Sequence, residues 1–137
     1  MIAADASRGG YSWQRMKFTL ENSAAANAVT ARAPGEVHIA GRPYRASLVI
    51  SPGQVIENWP VRDATLLAED ALEAVFSLSP EIFLLGTGER QIFPDPRLYA
   101  LIASRGIGFE VMDNGAACRT YNVLLAEGRD IALALIL

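Results

Sequence analysis

Residues 81–137 read EIFLLGTGER QIFPDPRLYA LIASRGIGFE VMDNGAACRT YNVLLAEGRD IALALIL, and the fold is decided there. Glu81 to Leu85 is a short, mainly apolar run that stops at Gly86, the length of a strand. Asp95-Pro96 then supplies a cap followed by proline at the first helical position, and Gly106 stands where a C-terminal glycine belongs. This predicts a helix over Pro96–Arg105 with Leu98, Leu101 and Ile102 facing inward. Ile107 to Met112 is the next strand. Asp113 or Asn114 caps a third helix from about Gly115 to Glu127, ended by Gly128. Ile131 to Leu137 is apolar throughout, as a strand covered on both faces should be. Strand-helix-strand-helix-strand with short connections is the grammar of parallel crossovers. The glycine bend and the opening of the last helix should then emerge along one rim of the sheet.

Working outward, the first helical pattern lies just upstream. Leu67, Ala71, Ala74, Val75 and Leu78 recur at helical spacing, with Asp63 or Thr65 as cap and Pro80 as stop. From Ala28 to Trp59 the period is that of β-structure. Val29 and Ala31, then Val37 and Ile39, then Tyr44, Ala46, Leu48 and Ile50 alternate with more polar neighbours. Ala33-Pro34-Gly35 and Gly41-Arg42-Pro43 read as turns between these runs, which gives an antiparallel meander. Ser51-Pro52-Gly53 closes the third strand, and Val55 to Trp59 makes a short fourth. Residues 1–16 lack a period and read as a loosely ordered tail, with Tyr11 and Trp13 as its anchors. The expected architecture is one α/β domain over residues 17–137. It has three layers, a mixed and partly parallel central sheet, an N-terminal meander and a C-terminal βαβαβ unit.

Composition narrows the function. The 137 residues are 51% apolar and 20% charged, enough apolar surface to fold without disulfides or metal. A single Cys and a single His exclude a disulfide framework and a Cys/His zinc site within the chain. A net charge of −3, with the basic residues scattered, argues against a nucleic-acid partner. No apolar run reaches the roughly 18 residues of a membrane span. The start of the chain lacks the continuous apolar core of a secretory signal, so a cytoplasmic location is expected.

Few residues have the makings of chemistry. Gly86-Thr87-Gly88 follows a strand at its C-terminal end, where open α/β sheets bind ligands and loop amides can face an anion. It is not a dinucleotide fingerprint, because Gln91 stands in place of the third glycine and the helix starts only at Pro96. No cofactor is expected. Cys118 is the only thiol. With Asn114 as cap it would fall in a first helical turn that favours thiolate. However, Ala117, Cys118, Tyr121, Leu124 and Leu125 form one stripe that should face the core. His38 lies in a predicted strand with nothing to tie it to Cys118. Arg119 and Asn122 project from another side of the helix. Arg119 can grip a carboxylate or phosphate, or else pair with Glu110, Asp113 or another surface acid. Arg129 should offset Glu127, and Trp59 before Pro60 reads as a core aromatic.

Taken together, Gly86-Thr87-Gly88, the strand Ile107 to Met112, the block Ala117-Cys118-Arg119-Thr120-Tyr121-Asn122, Glu127-Gly128-Arg129 and the terminal apolar strand resemble a catalogued family of α/β domains of unknown function. That family includes the mitochondrial complex I assembly factor three and the adipogenesis-associated domain protein, with archaeal and bacterial homologues. The likeness covers about Val29 to Leu137, with Asn114 where a Thr is expected. It implies a compact three-layer domain and no established catalytic activity, and it points to an assembly role by analogy.

Three functions follow as expectations. The leading one is a protein-binding or assembly-factor-like module whose partner surface includes Phe93 and Tyr99, or the N-terminal tail. The second is a binder of a small anion, with Gly86, Thr87, Gly88, Asn114, Cys118, Arg119 and Asn122 as candidate ligand residues. The third is an enzyme using Cys118 or a carboxylate at that same site.

Overall fold

The computed structural model describes residues 26–137. The expected tail over residues 1–16, with Tyr11 and Trp13, and the expected start of the domain at residue 17 lie outside the described residues. The described chain is α/β, with eight strands in two sheets: β1 (Val29–Ala33), β2 (Glu36–Ile39), β3 (Arg42–Tyr44), β4 (Leu48–Ser51), β5 (Gln54–Ile56), β6 (Ile82–Gly86), β7 (Gly108–Met112) and β8 (Ile131–Leu135). The helices are α1 (Glu73–Phe76), α2 (Pro96–Ser104) and α3 (Asn114–Ala126). The first three strands form a small antiparallel sheet, β1-β2-β3. The other five form a mixed sheet in the order β5-β4-β8-β6-β7, in which β6 runs parallel to both β7 and β8, and β4 runs antiparallel to β8.

The central sheet is covered on both faces, so its middle strands are apolar without interruption. In β8, Ile131, Leu133 and Leu135 face α3 and the small sheet. Ala132 and Ala134 face α2, α1 and Trp59. β6 alternates in the same sense, Leu84 on one side and Phe83 and Leu85 on the other. The crossover from β6 to β7 therefore runs over one face and that from β7 to β8 over the other. This divergence creates a topological switch point between the C-terminal ends of β6 and β7.

The helices of the C-terminal unit start and stop where their chemistry dictates. The Asp95 carboxylate accepts from the Arg97 N–H at 2.9 Å, and Pro96 takes the first helical position. Gly106, at φ +74°, ends that helix in the left-handed region where glycine carries no steric cost. Asp113 caps α3 by accepting from the Ala116 N–H at 2.9 Å.

Four local expectations are corrected. The helix expected between Asp63 and Pro80 is two 3₁₀ turns, Ala64–Leu66 and Glu69–Leu72, followed by the single turn of α1. Asp63 does cap the first turn, but Leu67 and Ala68 are extended, and the indole N–H of Trp59 donates to the Ala71 carbonyl at 2.9 Å. The expected strand through Tyr44, Ala46, Leu48 and Ile50 is cut at Arg45–Ser47. Tyr44 pairs with Val37 in the small sheet, and Leu48 pairs with Leu135 in the central one. Arg42 and Pro43 belong to β3 rather than to a turn, with Pro43 on an edge strand that needs no N–H from it. The expected fourth strand is shortened to Gln54–Ile56, because Asn58 enters the left-handed region at φ +56° and turns the chain.

Candidate functional site

The switch point is where an open α/β sheet ordinarily receives a ligand. Here its two sides meet directly. The Asn114 N–H donates to the Gly88 carbonyl at 2.8 Å, and the Gly88 N–H donates to Asn114 Oδ1 at 3.0 Å. The Asn114 Nδ2 donates to the Ile136 carbonyl at 3.0 Å, while the Ile136 N–H donates to the Gly86 carbonyl at 2.9 Å. Thr87 is just as fully engaged. Its N–H donates to the Met112 carbonyl at 2.9 Å, and its hydroxyl donates to the Arg90 carbonyl at 2.6 Å and accepts from the Ile92 N–H at 3.0 Å.

Asn114 is thus the first residue of α3 and not its cap, which frees its amide to tie three chain segments together. Gly86 must lack a side chain for the same reason. A Cβ there would run into Asn114 Oδ1 and come within 2.6 Å of Leu135 Cδ2. Because Asp113 is the cap, Cys118 lies in the second turn of α3. It is 5% exposed, and burial pushes its thiol from 9.0 up to about 11, against the weaker pull of Arg32 and Arg119. The thiol is protonated at neutral pH. His38 pairs with Glu36 at 2.6 Å, which holds the Glu36 carboxyl below its usual range.

Six of the seven candidate ligand residues fall on two grooves, and Gly86 lines neither. Thr87, Gly88 and Asn114 line one of about 220 Å³ together with Arg62, Glu89 and Leu137. Cys118, Arg119 and Asn122 line another of about 220 Å³ between β1 and α3, with Arg32 on the facing wall. Arg32 is bidentate to Glu89 at 3.1 Å. Arg119 enters no ion pair among the described residues, and its guanidinium lies close over Gly115. Asn122 has a structural partner. Its amide accepts from the Val29 N–H at 3.0 Å and donates to the Val29 carbonyl at 2.8 Å, standing in for a neighbouring strand on the free edge of β1. Tyr121, fully buried, donates to the Asn27 carbonyl at 2.7 Å.

Arg129 lies 3.9 Å from Glu127 and 3.1 Å from Glu81, so it does offset the acid in the last turn. Phe93 is 63% exposed. Tyr99 packs its ring against Phe109 at a centroid distance of 4.9 Å, and its hydroxyl is buried without a hydrogen-bond partner. No group of three or more His, Cys, Asp or Glu side chains suited to a metal ion occurs among the described residues.

Sequence reading missed a larger recess of about 580 Å³ on the same rim, lined by residues that include Arg45, Ser47, Asn58, Trp59, Arg62 and Leu66. The only signal for it was Asn58-Trp59-Pro60, where a core aromatic sits in a stretch with no period.

Comparisons with known proteins agree with this architecture. A family described as "Protein of unknown function (DUF498/DUF598)" matches residues 29–136. A "13 kDa major membrane protein" of Francisella tularensis subsp. holarctica (strain LVS) is 33% identical over 94 residues, covering 68% of this chain and 76% of that protein. The "NADH dehydrogenase [ubiquinone] 1 alpha subcomplex assembly factor 3" of Xenopus tropicalis is 35% identical over 94 residues, covering 64% of this chain. The chain spans about half, 51%, of that assembly factor's length. Among solved structures, a Xanthomonas campestris protein determined by NMR superimposes with a TM-score of 0.73 at 42% identity, over 80% of this chain and 83% of that one.

Proposed function

The chain belongs to the DUF498/DUF598 family of proteins of unknown function, and from that premise we propose that it is a protein-binding, assembly-factor-like module. One observation supports this over a ligand-binding or catalytic role. At the crevice that an α/β sheet offers to a small molecule the polar groups are taken up by Asn114, whose amide uses the Gly88 N–H and the Ile136 carbonyl. The groups that would grip a ligand at the switch point already grip one another. The kinship with an assembly factor supports the same reading by analogy. Phe93 and Tyr99 are the proposed partner surface, since Phe93 is an exposed aromatic and the Tyr99 ring is only partly covered. Among the described residues no helix is long and apolar enough to cross a membrane; a cytoplasmic location is part of the proposal. The test is affinity capture from the native cell extract. A stoichiometric partner lost on Phe93→Ser with Tyr99→Ser is the expected result. Recovery of background proteins alone defeats the module, and undiminished capture by the double variant defeats the surface.

A second reading keeps a small anion and rests on Arg119, whose guanidinium is unpaired among the described residues and lies over Gly115 in the groove that faces Arg32. Titration with inorganic phosphate, followed by amide shifts of Gly115 and Arg119, should saturate in the wild type and vanish in Arg119→Gln. An enzyme built on Cys118 would need a thiolate, which burial disfavours.

A further inference from the structure

The recess of about 580 Å³ has bonded walls like those of the switch point and differs from it in its unspent charge. Its walls are the β3–β4 connection at Arg45–Ser47 and the stretch Asn58–Asp63. They are bolted together. The Trp59 N–H donates to the Ser47 carbonyl at 2.8 Å, and the Leu137 N–H donates to Ser47 Oγ at 2.9 Å. The left-handed Asn58 points the chain into this arrangement at little cost, because Asn tolerates that region better than most residues. A recess already shaped this way needs no ordering when a partner arrives.

Its lining combines an apolar ledge with two arginines, Arg45 and Arg62. Leu66 is 77% exposed, the highest of the large apolar side chains among the described residues, and Pro60 beside it is also exposed. Arg45 spends its Nε on Glu36 at 3.1 Å, and no bond from its terminal nitrogens is recorded among the described residues. Arg62 enters no ion pair there. The one acidic side chain in the lining, Asp63, already accepts from the Thr65 N–H at 2.9 Å and its hydroxyl at 2.8 Å, which holds it ionised. Arg62 and Leu137 also line the groove beside Gly88, so the recess continues along the rim. A small molecule bound tightly is usually enclosed over most of its surface. Here most of the wall residues are exposed, which suits an occupant that offers one face and passes on.

We infer that this recess receives an extended segment of a protein partner in which an acidic side chain, held by Arg62 and Arg45, neighbours an apolar one laid against Leu66 and Pro60. The inference rests on the protein-binding reading and adds a site and a peptide chemistry to it. It is tested by panning a phage-displayed random 12-mer library on the folded full chain and mapping the selected peptides by amide shifts. The expected peptides carry Asp or Glu next to an apolar residue and shift Asn58 to Leu66. They lose at least about tenfold in affinity when the acid is changed to its amide, or in Arg62→Glu. A Lys-substituted peptide should regain affinity for Arg62→Glu, which separates charge recognition from damage to the fold. Peptides that bind Arg62→Glu as well as wild type, or a library that yields no binder, overturn the recess. Peptides that shift Phe93 and Tyr99 instead also overturn it and leave the protein-binding reading standing.

Discussion

Two places on one rim of the same sheet have opposite fates. At the end of β6, Gly86, Gly88, Asn114 and Ile136 satisfy one another's polar groups, and the switch point becomes part of the fold. A short way along, past Leu137, the walls are bonded to each other through Ser47 while Arg62 is left to solvent. The difference teaches that topology alone does not make a site. A crevice stays available only where the chain leaves hydrogen-bonding or charged groups unspent.

The contrast can be broken or sharpened by substitution. Asn114→Ala should cost the most, about 3 kcal/mol, since it strands the buried Ile136 carbonyl and leaves the part-buried Gly88 N–H without its acceptor. Urea denaturation measures it, and a loss under about 1 kcal/mol would mean the stitching is incidental. Next is Cys118, whose thiol is raised from 9.0 to about 11, so at neutral pH the folded chain should react with iodoacetamide on the order of 100-fold more slowly than the unfolded chain. Because the folded state holds this proton more tightly, the associated stability is intact below pH 9 and declines as pH rises from 9.0 through about 11. Equal rates of modification in the folded and unfolded chain would contradict the burial. Gly86→Ala should cost about 2 kcal/mol, because the new methyl meets Asn114 Oδ1 and Leu135 with no room to withdraw. Its thermal unfolding midpoint should fall, and one unchanged from wild type would show the packing to be loose. Arg62→Glu, in the open recess, should change stability by less than about 0.5 kcal/mol, as for an exposed side chain with no partner. A larger loss in the same denaturation experiment would make Arg62 structural and remove the contrast.

Where the sequence was legible, the signals were local. Asp95-Pro96 and Gly106 mark the ends of α2 because cap, proline and glycine act within one turn. The meander was legible only in part. The alternation Tyr44, Ala46, Leu48, Ile50 keeps its period across the change of sheet, so nothing in it reveals that Arg45–Ser47 is a joint. The helix before Pro80 failed for the converse reason. Its apolar spacing is helical, but Trp59 claims the Ala71 carbonyl and the sheet accepts a broken path. For the candidate site, sequence reading placed the glycine bend beside the start of α3, and the two do adjoin. It left open whether Asp113 or Asn114 was the cap, and with it where the Asn114 amide would go.

From the sequence alone came the order of strands and helices from Glu81 onward, the Asp95 cap of α2, and the double-sided burial of β8, because each follows from chemistry within a few residues. Only the tertiary structure decided which sheet β3 and β4 join, that Asn114 closes the switch point with Ile136, that Asn122 pairs the edge of β1 at Val29, and that Trp59 and Ser47 frame a recess. The physical reason is range. Asn114 and Ile136 are 22 residues apart and Asn122 and Val29 are 93 apart, and a side-chain amide carries no mark in the sequence of which distant backbone group it will meet.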